Sequence, residues 1–173
     1  MLHYSVSSSG VATFSYALPL NAQGLVKGNY GLIRSESYFY NSDGFKTLTL
    51  ISDILSSEKD TNHISNNNII KSEIQSSGIL TSSSTVSNFT FSDKTNSLTA
   101  ESLGLQVFGK LNKNLISTSV VTYTAGCFFP PCPSPTVTNY NYTYEFDANG
   151  WVTKQTITNV GTSATSVTSY TYY

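Results

Sequence analysis

Tyr140-Asn141-Tyr142-Thr143-Tyr144-Glu145-Phe146-Asp147-Ala148-Asn149-Gly150-Trp151-Val152-Thr153-Lys154 is the stretch whose reading decides the fold. Tyr140, Tyr142, Tyr144 and Phe146 alternate with Asn141, Thr143, Glu145 and Asp147. A period of two sends successive side chains to opposite faces of a strand, so one face is aromatic and the other polar. Asp147-Ala148-Asn149-Gly150 then has the chemistry of a type I turn. Its first residue offers a carboxylate to backbone N–H groups, and its fourth can carry the chain through positive φ into a bulge. The stretch predicts a β-hairpin.

The same unit recurs. Asn21-Ala22-Gln23-Gly24 precedes Leu25-Val26-Lys27, and Asn41-Ser42-Asp43-Gly44 precedes Phe45-Lys46-Thr47, itself led in by Tyr38-Phe39-Tyr40. All three fit one formula: Asx, two turn residues, Gly, then an apolar residue opening the return strand. Outward from these turns, residues 4–18 read as two short strands around Gly10. Further strands are expected over 31–40, 45–55, 69–74, 79–91, 114–124 and 164–173. Residues 56–68 are polar and rich in turn formers, which predicts a long exposed loop. Residues 97–110 place Leu98, Glu101, Leu105 and Phe108 at helical spacing and predict a short helix or irregular turn. Together these readings predict a single all-β domain over residues 1–173. It is an antiparallel β-meander of about 8–11 strands, forming a curved sheet or a barrel-like one.

Composition narrows the function. A net charge of −1 with 11% charged residues, the nine basic ones scattered, speaks against nucleic acid or an anionic membrane as partner, since both need clustered Lys and Arg. No run of 18 apolar residues occurs, so no transmembrane helix is expected, and 13% aromatic content is too high for disorder. Ser, Thr and Asn make up roughly two-fifths of the chain, a polar and Tyr-rich strand composition common in secreted and cell-surface proteins. Met1-Leu2-His3-Tyr4 has neither a basic n-region nor an apolar h-region, so no signal peptide is expected at this start.

The two cysteines lie in Gly126-Cys127-Phe128-Phe129-Pro130-Pro131-Cys132-Pro133. In an oxidising compartment Cys127 and Cys132 bridge, closing a small loop worth roughly 2 kcal/mol on a chain-entropy estimate. The alternative is a pair of free loop thiols. Nothing nearby completes a zinc site, and His3 and His63 are distant in sequence, so neither metal nor cofactor is expected.

Two resemblances attach to these residues. Tyr144-Glu145-Phe146-Asp147-Ala148-Asn149-Gly150-Trp151-Val152 and its copies resemble the YD or RHS-type repeat, a short extracellular β-hairpin repeat. Phe89-Thr90-Phe91-Ser92-Asp93-Lys94-Thr95-Asn96-Ser97, then Phe108-Gly109-Lys110-Leu111-Asn112-Lys113-Asn114-Leu115-Ile116, then Tyr142 to Lys154, resemble uncharacterised lipoprotein-like families of Bacteroidota. That resemblance covers the last half of the chain, and the first half only through its turns. It implies a porin-like antiparallel β fold and a location in the cell envelope or outside the cell, with no catalytic residues to carry over. The chain departs from the pattern in having no lipobox cysteine near its N-terminus and in its Cys127–Cys132 loop.

Catalytic constellations are poorly served. With 28 serines the nucleophile is no constraint, but only His3 and His63 could serve as base, and no Gly-x-Ser-x-Gly, His-Glu-x-x-His or phosphate-loop motif occurs. Glu36, Glu73, Glu101 and Glu145 are candidates for a paired-carboxylate glycosidase or are simply solvated strand charges. The better candidates for binding are Tyr140, Tyr142, Tyr144 and Trp151, whose rings either stack on sugars or protein partners or form the core face of the sheet. Phe128 and Phe129, at a Pro-rich tip, are either a contact point or packing on the sheet rim. The expected function is a non-catalytic domain presenting a surface to a polysaccharide or to a protein partner in an envelope assembly. The alternatives are a structural subunit that self-associates through open sheet edges and a glycan-active enzyme.

Overall fold

The computed structural model describes residues 2–6, 14–30, 34–78, 82–99, 108–127 and 129–172. β1 (Leu2–Val6) and β2 (Phe14–Leu18) pair antiparallel in a sheet of their own, with Leu2 opposite Leu18 and Val6 opposite Phe14. The other ten strands form one sheet: β3 (Gly28–Tyr30), β4 (Arg34–Tyr40), β5 (Lys46–Asp53), β6 (Ser56–Ser65), β7 (Asn68–Gly78), β8 (Ser82–Thr95), β9 (Asn114–Ala125), β10 (Thr136–Phe146), β11 (Val152–Asn159) and β12 (Thr165–Ser169). Spatial order follows chain order and every neighbouring pair is antiparallel, so this is the expected meander. Among the described residues no ladder joins β3 to β12. The sheet is therefore open, and the barrel alternative does not hold.

The three repeated turns fold alike because they share one hydrogen-bond scheme. In each, the glycine N–H donates to the Asx carbonyl at 3.1 Å, and the glycine takes a φ of +78° (Gly24), +87° (Gly44) or +82° (Gly150). One side-chain oxygen then receives two further backbone N–H groups. Asn21 Oδ1 accepts from Gln23 and Leu25, Asn41 Oδ1 from Asp43 and Phe45, and Asp147 Oδ1 from Asn149 and Trp151, all at 2.8–3.1 Å. Tyr40 then pairs with Lys46 and Phe146 with Val152 across a bulge, and Leu20 bridges Val26 in the same position.

The exposed loop expected over 56–68 is instead strand β6 followed by a tight turn. Asn66 and Asn67 take φ of 51° and 61°, the left-handed pair of a two-residue hairpin. Apolar periodicity fails to mark β6 because neither of its faces meets a second layer. Its side chains pair with polar neighbours, Asp60 accepting from Ser72 Oγ at 2.9 Å and Glu58 from Ser76 Oγ at 3.3 Å. Of the stretch expected to be helical, residues 97–99 and 109–110 have no helical structure, Phe108 lies in a short 3₁₀ turn, and Glu101 and Leu105 lie outside the described residues.

Antiparallel connections alternate between two ends of the sheet, and the core sits at one of them. Val26, Phe45, Leu115 and Val152 each follow a connection at that end, and all are at most 2% exposed. Leu98 joins Leu115 and Val152 in a cluster flanked by Tyr144, Phe146, Tyr170 and Tyr172. The described parts of the β8–β9 connection, residues 96–99 and 108–113, belt this end. Lys110 N donates to the Gly44 carbonyl (2.9 Å), Lys113 N to that of Asn67 (2.9 Å), and Val152 N to Ser97 Oγ (2.9 Å). Asn68 and Asn114 exchange hydrogen bonds of 2.9 and 3.1 Å beside it. Elsewhere, among the described residues, the substantial contacts between strands run only between sequence neighbours, so no second layer of strands covers the sheet there.

Candidate functional site

Residues opposite one another across a ladder share a face. Following register across the sheet places Tyr140, Tyr142 and Tyr144 on one face with Ser119, Ile157 and Gln155. Tyr142 Oη lies 3.2 Å from Ser119 Oγ, while Tyr144 donates to the Ile116 carbonyl at 3.0 Å and accepts from Gln155 Nε2 at 3.2 Å. Burial pushes the Tyr144 phenol above its ordinary pKa. Tyr144 packs against the core cluster and so serves as the core-face ring, whereas Tyr140 and Tyr142 are half-buried farther up the strand. Trp151 stands apart at the turn, its ring 5.0 Å from that of Tyr172.

At the opposite end, Cys127 and Cys132 form a disulfide that closes the β9–β10 tip, and Phe129 on that tip is 80% exposed. Phe128 lies outside the described residues, as does Glu101. The other three candidate carboxylates are spoken for. Glu36 accepts from the Tyr38 hydroxyl and from Arg34 Nε at 3.0 Å, and these bonds, the tyrosine's foremost, hold it below the ordinary glutamate value. Glu73 is held low by Lys71 at 2.6 Å and His63 at 2.9 Å, and Glu145 pairs with Lys154 at 2.7 Å. Register puts Glu36 on the tyrosine face and Glu73 and Glu145 on the other. Those last two stand on strands three apart, at least roughly 14 Å, beyond the reach of a two-carboxylate mechanism. Among the described residues no cluster of three or more His, Cys, Asp or Glu side chains could hold a metal ion, and no helix is long and apolar enough to cross a membrane.

Register reveals a feature that strand-by-strand reading missed. On the face opposite the tyrosines, Ser35 pairs with Ser52, Ser52 with Ser57, Ser57 with Ser77 and Ser77 with Ser82, a serine row across β4 to β8. The next row toward the core end runs Leu50, Lys59, Gln75, Ser84 and Thr124. From β5 onward the two rows line a trough of about 650 Å³ at the open end. Gly126 closes it, packed so tightly on β8 that a Cβ there would stand 1.7 Å from the Ser82 carbonyl oxygen. The sequence signal is the Ser doublets and triplet at 56–57, 76–77 and 82–84, which acquire meaning only once the strands are aligned.

No protein family matches this chain, and no curated protein or solved structure is detectably similar to it.

Proposed function

We propose that this chain is a non-catalytic β-repeat domain of the cell envelope or of a secreted protein, acting by presenting its sheet surface to a polysaccharide or to a protein partner. The observation that carries this reading is the single layer: beyond the belted end, among the described residues, no second layer of strands covers either face of the ten-stranded meander. The ion-paired and separated carboxylates support a non-catalytic role, since a general acid needs a raised pKa and a partner within reach. The envelope location draws its support from the likeness to Bacteroidota lipoprotein-like families and to YD-type repeats. The test is melting temperature against a panel of neutral and acidic polysaccharides, with release of reducing ends followed in parallel. A ligand that binds only the folded state raises the midpoint by mass action, and no reducing ends should appear. Release of reducing ends that Glu36→Gln or Glu73→Gln abolishes would replace this reading with an enzyme.

One observation favours a second reading, a subunit that pairs with itself through a sheet edge. β12 is exposed along its whole length, and Thr165-Ser166-Val167-Thr168-Ser169 contains no charge and no proline, the usual guards of an edge strand. On this reading the molar mass from light scattering rises with concentration and Val167→Lys returns it to a monomer. A concentration-independent monomer removes it.

A further inference from the structure

We infer that the trough over β5 to β9 is a binding site for an acidic polysaccharide lying across the strands, with Lys59 taking an anionic group of the sugar chain. This rests on the polysaccharide branch of the function proposed above and gives it a place and a chemistry.

The argument starts from what the strands offer. Backbone N–H and C=O groups of β6, β7 and β8 are spent in ladders on both sides, so a ligand on this face meets side chains alone. A peptide adding itself as a strand has no edge to use there. Ile51 and Glu58 also border the trough, but register turns their side chains to the tyrosine face, where Glu58 accepts from Ser76 Oγ. On the trough's own face the side chains are hydroxyl, amide and ammonium with Leu50 the one large apolar one, which is too little for the aromatic and aliphatic anchors of a protein interface. A single lysine is likewise too little for a nucleic-acid backbone.

The polar groups are also unengaged. On the tyrosine face, Ser72, Ser76, Ser119 and the hydroxyls of Tyr38, Tyr40, Tyr142 and Tyr144 bond to other side chains or to backbone. In the trough, by contrast, Ser57, Ser77, Ser84, Thr124 and Gln75 make no side-chain hydrogen bond among the described residues, and Lys59 makes no ion pair. Their spacing is periodic, since neighbouring strands lie ~4.8 Å apart and each contributes one group per row over a span of about 19 Å. A repeating, polyhydroxylated chain matches a repeating array of donors and acceptors better than a compact small molecule does. Lys59, the one cation lining the trough, supplies the preference for a chain that bears carboxylate or sulfate groups.

The test is residue-resolved NMR on the full chain, titrated with polygalacturonate oligomers and, in parallel, with neutral cello-oligosaccharides of the same length. Amide shifts should concentrate at Ser57, Lys59, Gln75 and Ser77, and the polygalacturonate should bind more tightly and lose affinity with salt. Lys59→Gln should weaken it roughly three- to tenfold and remove the preference over the neutral oligomer, while Lys59→Arg keeps it. Ser77→Trp, which fills the trough, should abolish binding of both. Unchanged shifts at the core end verify that each variant is folded. Shifts centred on Tyr140, Tyr142 or Phe129, indifferent to Lys59→Gln, would overturn the site while leaving the proposed function standing. Absence of binding by either oligomer would overturn the site and the polysaccharide branch together, leaving only a protein partner.

Discussion

At one end of the sheet, where the β8–β9 belt lies, Val26, Phe45, Leu115 and Val152 are almost wholly out of water; at the other, where serines line a trough, Ile54 is 71% exposed, Leu55 62% and Phe129 80%. Both ends belong to the same strands, so the difference is not one of secondary structure. Ladders alone hold a strand in place, but a second set of groups must come from elsewhere to bury apolar surface. The described parts of the 96–113 connection and Tyr170 and Tyr172 after β12 supply them. The comparison teaches that stability and an available surface have been assigned to opposite ends of the same strands.

The sharpest way to break that comparison is a large-to-small change beneath the belt. Phe45→Ala should cost about 3–5 kcal/mol, seen as a lowered melting temperature, whereas Val137→Ala on the exposed sheet should stay within about 0.5 kcal/mol. Equal effects would mean the core is not confined to one end. Next in size is reduction of Cys127–Cys132, which should cost about 2 kcal/mol because it frees the unfolded chain, whichever end carries the bridge. An unchanged midpoint would show that the two ends open separately. Smaller again is Asp147→Ala, which removes the acceptor of two turn N–H groups and should cost about 1–2 kcal/mol. Asp147→Asn should be close to neutral, since Asn21 and Asn41 hold the same geometry.

Smallest is the effect of acid. Glu36 and Glu73 sit below the ordinary glutamate value of 4.5 and Asp53 below the ordinary aspartate value of 3.8, each lowered by hydrogen bonds to the ionised form. Their contribution is complete above those ordinary values and is lost as pH falls through the lower folded ones, so a melting curve taken at about pH 3 should show a small decrease from neutral pH. These groups are partly exposed and therefore partly screened, so a steep acid transition would point to a buried carboxylate.

Much of this architecture is legible in the sequence, and the reasons are local. The Asx-x-x-Gly turns are readable because one side chain and one glycine determine the whole geometry. The aromatic alternation of β10 is readable because its tyrosine face is partly covered. β6 is not readable, since a strand solvated on both faces has no apolar period and its Asn66-Asn67 turn looks like the loop formers around it. Trp151, expected among the binding rings, packs on Tyr172 beside the turn and stays 42% exposed, while Val152, one residue on, takes the buried position. The trough was illegible for a deeper reason. Ser52, Ser57, Ser77 and Ser82 form a row only after three separate registers have been set, and no window along the chain contains that information.

The three turns have a consequence for how such a chain can change in length. Each sets its own geometry through its Asx bonds, although Gln23 of the first also reaches the Asn41 and Ser42 carbonyls of the second and Lys110 bonds to Gly44, and each strand answers chiefly to the strands before and after it. A hairpin can therefore be duplicated or deleted as a module, with the energetic change limited to one new or lost neighbour contact on either side, as in linear repeat arrays. Width is then a heritable count, and any surface that runs across the strands grows or shrinks by whole hairpins.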